Sequence, residues 1–162
     1  MLSIITITYN NFEELRATLS SVPESDEIES VVINGGDCKL TRDYLSARGG
    51  KFVSGQDSGI SDAFNKGIDN SSGKYIMYLN SGDILLNPEY LFRAVKFLEE
   101  NPELYFTHTN LLFTDSLGVT LQMKPSMKNI GRGMPYFHPG MICRRELFSI
   151  TGKFNTGYRI AM

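Results

Sequence analysis

Two cysteines stand in the 162 residues of this sequence, and no run approaches the roughly 18 consecutive apolar residues of a membrane span. Cys38 and Cys143 lie far apart, with no CxxC pair and no histidine at metal-ligand spacing. That excludes a disulfide scaffold or a zinc site on spacing and fits a reducing compartment. Charge of one sign is also missing: the formal net charge is −2, so the molecule as a whole has no footprint for nucleic acid or for an anionic membrane. There is no GxGxxG after the first apolar run, and no GxxxxGK[ST], GxSxG or HExxH anywhere. Nicotinamide, P-loop, hydrolase and zincin chemistry lose their usual support. The opening MLSIITITYN lacks a basic n-region and is too β-branched for a signal peptide. It reads as the first strand of a cytosolic domain.

What is present is ordinary for a single globular domain, with 41% apolar and 21% charged residues. Leu2–Thr8 is rich in Ile and Thr and predicts a buried strand. Asn10-Asn11 offers a helix start, with Glu13 and Glu14 in the first turn and Pro23 as the stop. A second strand covers residues 29–33. A short helix capped by Thr41 runs to Arg48, and Lys51–Ser54 is a third strand. A helix from Asp57 to Asn70 leads to a fourth strand at residues 74–79. Asn87-Pro88 then starts another helix, Asn as the cap and Pro at the first helical position. Beyond Pro102 the pattern changes: residues 104–114 and 119–124 flank Asp115-Ser116-Leu117-Gly118 as a β-hairpin. Four βα units followed by an antiparallel part predict an α/β fold with an open, mostly parallel sheet.

Ligands of such sheets bind outside the carboxyl ends of the parallel strands. That places Tyr9-Asn10, Asn34 to Gly36, Gln56-Asp57 and Asn80 to Asp83 on one rim, four polar clusters where a lone turn would need only one. Asp83 would ordinarily cap the next helix, but Asn87-Pro88 takes that position. Asp83 therefore points to a divalent ion, Mg²⁺ or Mn²⁺, shared with phosphates, since those ions keep few protein ligands. Asp57 is either a helix cap or a ligand contact, and Asp62 with Lys66 is either an i,i+4 pair or part of an anion site beside Gly59. Tyr9 is a strand exit or a ring that stacks on a base. His138 is a loop histidine or a phosphate contact. From Ser116 to Arg145 no acid occurs, while Lys124, Lys128, Arg132, Arg144 and Arg145 are basic; this is a solvated loop or a surface facing an anion. Met123, Met127, Met134 and Met141 read as core filling.

The ordered set SIITITYN, VVINGGD, SGQDSGISDAFNKG, KYIMYLNSGDIL and FHPGMICRRELF resembles the family 2 glycosyltransferases of GT-A fold, in the branch typified by colanic-acid biosynthesis. The resemblance runs along essentially the whole chain; its most specific part is D-x-G-I-x-D-A-x-N-K-G paired with a strand ending L-N-S-G-D. It implies an inverting transferase that moves a sugar from a nucleotide-sugar donor to a glycan or lipid-linked acceptor in polysaccharide biosynthesis. Residues 1–102 would be the donor half and 103–162 the start of the acceptor half of one domain. It further implies that Thr8, Tyr9, Asn10 and Asn34 hold the nucleoside, that Asp57, Asp62, Asn65 and Lys66 line the nucleotide pocket, and that Ser81-Gly82-Asp83 follows Asn80 as the metal motif. His138 matches a histidine often present in the branch. A cytoplasmic protein is expected, with peripheral association at the inner face of the membrane compatible with a lipid-linked acceptor.

The chain departs from the family pattern in three places. Asn34 stands where Asp is usual, Gly55-Gln56 where Glu-Pro is common, and the chain stops at GKFNTGYRIAM. Related sequences continue there into an acidic segment whose Asp is the expected general base, so the base is expected beyond Met162 and the chain reads as truncated. A donor-binding fragment without catalysis is the rival reading. A nucleotidyltransferase is a second, weakened by the missing Gly-rich basic loop after the first strand.

Overall fold

The structure, a computed structural model, describes residues 1–126 and 136–158. Lys128, Arg132, Met127, Met134 and the expected position of the base past Met162 lie outside the described residues. The strands are β1 (Leu2–Thr8), β2 (Ile28–Asn34), β3 (Lys51–Ser54), β4 (Tyr75–Tyr78), β5 (Phe106–His108), β6 (Leu111–Thr114), β7 (Thr120–Met123) and β8 (Met141–Arg144). The helices are α1 (Phe12–Ser21), α2 (Lys39–Arg48), α3 (Ile60–Asp69), α4 (Glu89–Glu100) and α5 (Leu147–Thr151). Six strands form one sheet in the order β3-β2-β1-β4-β8-β5, and β6 pairs with β7 alone. β3, β2, β1 and β4 are mutually parallel, while β8 runs antiparallel to both β4 and β5.

Alternation along the central strands sorts the core onto two faces. Leu2, Ile4, Tyr75 and Met77 meet Leu91, Ala94 and Leu98 of α4 on one face, where Val32 also meets Leu15, Leu19 and Leu45 of α1 and α2. Ile5, Val31, Ile33, Ile76 and Tyr78 meet Ala63, Phe64 and Ile68 of α3 on the other. The chain thus changes face between β3 and β4, which opens a crevice at the carboxyl ends of β1 and β4. The expected hairpin over residues 104–124 is divided: β5 joins the main sheet, and only β6 and β7 pair as a ribbon. Helix α2 starts two residues earlier than Thr41, which is buried in its first turn, and Cys38 takes the cap position. Pro88, expected as the first helical residue, takes the cap position of α4, and Asn87 stands one residue before it with its Oδ1 accepting the Glu89 N–H at 3.2 Å.

Two cations of the acid-free basic stretch, Arg144 and Arg145, serve the fold. Arg144 is buried and donates to the carbonyls of Leu98, Asn101 and Leu104, closing the end of α4. Arg145 donates to the carbonyls of Gly73 and Ile68 and to Ser71 Oγ, closing the end of α3. Both complement helix carbonyls rather than face an anion. Met123 is 36% exposed and fills no core.

A knot at the amino edge of the sheet has no counterpart in the sequence motifs. Glu29 accepts from Ser3 Oγ at 2.5 Å, from Ser72 N–H at 2.7 Å and Ser72 Oγ at 3.0 Å, and pairs with Lys51 at 3.4 Å. Burial pushes its pKa up, but these hydrogen bonds and the Lys51 charge outweigh it and hold the carboxyl at about 2. A carboxylate held low stabilises the fold above its unfolded pKa and loses that contribution as pH falls toward 2. Glu29→Gln is expected to cost about 1–3 kcal/mol at pH 7 in urea unfolding. The gap to wild type should narrow as pH falls below about 4.5; a gap independent of pH would refute the assignment.

Candidate functional site

Polar side chains, more than helix termini, shape the rim at the carboxyl ends of the strands. Thr8, the last residue of β1, is buried; its hydroxyl donates to Asn11 Oδ1 at 2.5 Å, and its carbonyl accepts the Gly35 N–H at 3.0 Å. Asn10 adopts a left-handed conformation with φ 54°, tolerable for an Asn. Its Oδ1 accepts the N–H groups of Asp37 and Cys38, each at 3.1 Å, tying the loop after β1 to the loop after β2. Asn34 is completely buried: Oδ1 accepts the Gly36 N–H and Nδ2 donates to Ser54 Oγ, both at 3.2 Å. Asn34 therefore braces the rim from beneath, its partner lying across the sheet on β3.

Gly35 and Gly36 let these side chains close on the loop. A Cβ on Gly35 would stand 1.9 Å from Asp57 Oδ2, and one on Gly36 2.3 Å from Asn10 Oδ1. Asp57 precedes α3 rather than beginning it, and its Oδ1 accepts the Gly59 N–H at 3.1 Å. Asp62 accepts the Ser58 N–H at 2.9 Å and pairs with Lys66 at 3.0 Å. The Ser58 hydrogen bond and the Lys66 partner hold its carboxyl below the usual range. Lys66 also donates to the Gln56 carbonyl at 2.9 Å. The N–H groups of Ser58 and Gly59, which precede α3, are thus taken by carboxylates. Asn65 is directed elsewhere: its amide makes two hydrogen bonds with the backbone of Phe154, at 2.9 and 3.0 Å, anchoring the segment after α5.

The fourth cluster is a turn held from two sides. Ile5 and Ile7 of β1 accept the N–H groups of Leu79 and Ser81, and Thr18 Oγ1 of α1 accepts the Gly82 N–H, all within 3.0–3.1 Å. Asp83 does have a structural role here: its Oδ2 accepts the Asn80 N–H at 3.0 Å and its own N–H reaches the Asn80 carbonyl at 2.9 Å. Burial raises the Asp83 pKa, against the Asn80 hydrogen bond and the nearby His138. His138 sits with Nε2 2.9 Å from Asn80 Nδ2 and its ring edge-on to Phe64. Burial lowers the His138 pKa and the Asp83 charge opposes this. Asn80 Oδ1 and Ser81 Oγ are buried with no protein partner.

Two adjoining cavities follow the rim and share Tyr9 and Asp57. The outer, about 530 Å³, is lined by Tyr9, Gly35, Gly36, Asp37, Arg42 and the 54–57 loop. The inner, about 390 Å³, runs from Thr8, Tyr9 and Asn11 past Gly59 and Ile60 to Asn80 and Ser81. Tyr9 is 70% exposed between them. Of the expected residues, Thr8, Tyr9, Asp57, Asn80 and Ser81 meet at the cavities. Asn10, Asn34, Asp62 and Lys66 hold its walls, and Asn65 serves another junction. Arg42 and Thr18 were not anticipated. Arg42 stands at the cavity with its guanidinium on the Asp37 carbonyl at 2.5 Å; a second cation after Lys39 early in the helix that follows NGGD was its one visible sign.

An open parallel sheet whose crevice lies at the β1–β4 switch, with a polar turn after the fourth strand, is the GT-A arrangement of glycosyltransferases. The chain belongs to glycosyl transferase family 2, whose family model matches residues 3–160. It is 35% identical over 102 residues to an uncharacterized glycosyltransferase of Mycobacterium tuberculosis, covering 59% of this chain and 39% of that protein. It is 25% identical over 173 aligned positions to a PGL/p-HBAD biosynthesis glycosyltransferase of Mycobacterium bovis, covering 99% of this chain and 65% of the relative. The fold is shared with the mannosyltransferase PcManGT from Pyrobaculum calidifontis, solved with GDP-Man and Mn²⁺, at a TM-score of 0.70 and 16% identity over 96% of this chain and 47% of the other. It is also shared with Staphylococcus aureus TarS 1-349 in complex with UDP-GlcNAc, at a TM-score of 0.64 and 20% identity over 94% of this chain and 48% of the other. The chain therefore spans between about two fifths and two thirds of the length of these proteins.

The Gly35–Asp57 contact gives a direct test of how the rim is built. Gly35→Ala is expected to destabilise the chain by about 1–3 kcal/mol through overpacking. Because Asp57 is the obstacle, Asp57→Ala in the same chain should recover most of the loss in a double-mutant cycle. Additive losses would show that the two residues do not meet.

Proposed function

We propose that this chain is the nucleotide-sugar donor-binding part of an inverting glycosyltransferase of polysaccharide or glycolipid assembly, with residues 1–102 as the donor half and 103–162 as the start of the acceptor half. The observation that carries this is a pair of adjoining cavities running from the glycine turn to the unpartnered oxygens of Asn80 and Ser81 beside Asp83. The outer cavity suits a nucleoside: Tyr9 offers a ring for stacking, and Asp57 and Arg42 offer an acceptor and a donor. The inner cavity suits the diphosphate. The bound GDP-Man with Mn²⁺ and UDP-GlcNAc in structures of the same fold support this class of donor.

The residues present fit a divalent ion shared with that diphosphate. Asn80 Oδ1 and Ser81 Oγ are oxygen donors without partners, and Asp83 brings a carboxylate whose charge burial disfavours. Hard cations take such oxygen ligands. Among the described residues no three His, Cys, Asp or Glu side chains cluster as a metal cage. Bound there, Mg²⁺ or Mn²⁺ would supply Lewis-acid stabilisation of the departing diphosphate. Asn10 and Asn34 act as positioning residues for the nucleoside loop, Asp62 and Lys66 fix the 56–58 loop, and His138 steadies Asn80. In the whole protein the acceptor hydroxyl attacks the anomeric carbon opposite the diphosphate and its proton passes to a carboxylate base, so the configuration inverts.

Addition of Mn²⁺ with UDP- or GDP-sugars at about 100 times Kd should raise the unfolding free energy by roughly 2.7 kcal/mol, a midpoint shift of about 5 °C or more for this size. Asp83→Ala should remove the metal-dependent part. Asp83→Asn should leave the ligand-free chain at least as stable as wild type at neutral pH. A carboxyl with a raised pKa contributes stability at low pH and loses it as pH rises. No shift with any nucleotide sugar, in scanning calorimetry, overturns the donor reading.

A further inference from the structure

The ribbon between β5 and β8 carries a surface that the donor cleft does not use. Its register sets Leu111 opposite Met123 and Phe113 opposite Leu121, and directly opposed residues of an antiparallel pair share a face. Alternation adds Val119 to the same side. One face is therefore apolar along its length, with Phe113, Val119 and Leu121 each more than half exposed and Leu117 86% exposed at the tip. The other face is largely polar: Leu112 is joined there by Gln122, Thr114 and Thr120, and the two threonine hydroxyls bond each other at 2.9 Å. None of the apolar-face residues belongs to a core cluster among the described residues. A contiguous apolar face of this kind marks an interaction site, unlike single exposed leucines.

The charge around this face differs from that of the whole molecule. From Ser116 to Cys143 the sequence has Lys124, Lys128 and Arg132 and no acid. Lys124 is exposed at the end of β7, and the other two lie outside the described residues. Asp115 is the ribbon's one acid, and its Oδ1 accepts the N–H groups of Leu117 and Val119, each at 2.9 Å.

We propose that the β6–β7 ribbon is a membrane-contact element that sets its apolar face and Leu117 tip into the interface of a bilayer bearing anionic headgroups. An exposed apolar face ending beside the exposed Lys124, in a stretch of sequence that has basic residues and no acid after Asp115, is the pattern that lies in such an interface, and anionic lipid answers positive charge of that kind. A second copy of the chain laid on the same face would instead oppose like charges. The ribbon's root also places it usefully. β5 runs in the same direction as β4, since both are antiparallel to β8, so the ribbon leaves the sheet at the carboxyl rim. Thr109 N–H bonds the Gly140 carbonyl at 2.9 Å, fixing the root to the turn that carries His138 beside Asn80. Contact with a bilayer would bring the mouth of the cleft to the lipid surface, where a lipid-carried acceptor is presented. That consequence rests on the donor reading; the membrane contact itself does not.

The sequence has no tryptophan, so Leu117→Trp introduces a single reporter. The full chain should float with phosphatidylcholine vesicles containing about one quarter phosphatidylglycerol, and much less with phosphatidylcholine alone or at high salt. The Leu117→Trp emission should shift to the blue on binding. Phe113→Ser/Leu121→Ser should lower partitioning about tenfold or more without lowering the thermal midpoint, and Lys124→Glu should weaken binding to the anionic vesicles alone. Absence of flotation, or a double variant that floats like wild type, overturns the proposal. So does a dimer, seen by light scattering, that dissociates in the double variant. A nucleotide-sugar thermal shift recorded on the same variants separates failure of the ribbon from failure of the donor site.

Discussion

The two ladders that β1 makes with its parallel neighbours are what the cleft depends on. β1 pairs with β2 through its whole length and with β4 through its first half, and past the paired residues its last carbonyls still accept hydrogen bonds. Thr8 takes the Gly35 N–H from the loop after β2, and Ile7 takes the Ser81 N–H from the turn after β4. One strand thus fixes both ends of the cleft relative to each other. A slip of one residue in either ladder would move its side chains to the opposite face of the sheet and shift the glycine loop relative to the Asn80–Asp83 turn.

The rim is preorganised at a cost in buried polar groups. Asn34 and Thr18 are fully buried and satisfied, one beneath the glycine loop and the other beneath the 80–83 turn. Satisfied buried networks rigidify a site, because a lost partner leaves a desolvated group behind. Asn80 Oδ1, Ser81 Oγ and the Asp83 carboxylate stand apart from that pattern. They are held in place by the backbone while their oxygens remain short of partners or burdened by burial, and the proposed cation and diphosphate would supply those partners.

Much of this was legible in the sequence, and the limits have physical causes. β-branched runs gave β1, and polar strand exits gave the shared rim, because both depend on local pattern and on the topology of parallel sheets. The helix start at Asn87-Pro88 was legible for the same reason. Roles set by distant partners were not. Asn34 answers to Ser54 and Asn65 to Phe154, 20 and 89 residues away, so each looked like a ligand contact while serving the fold. Arg144 and Arg145 looked like free charge until the ends of α4 and α3 met them. Asp83 was read as unemployed because its turn bond runs backward to Asn80, three residues earlier, where a forward-looking search for a helix cap does not look.

The central claim is where the donor lies, and an amide-resolved NMR titration with UDP or GDP and Mg²⁺ tests it most directly. The account predicts shift changes at residues 8–11, 35–37, 55–59 and 80–83, with those at 80–83 dependent on the metal. Residues 27–28 and 91–99, at the small cavity on the opposite edge of the sheet, should stay still. Changes confined to that edge, or no saturable change with either nucleotide, would contradict it.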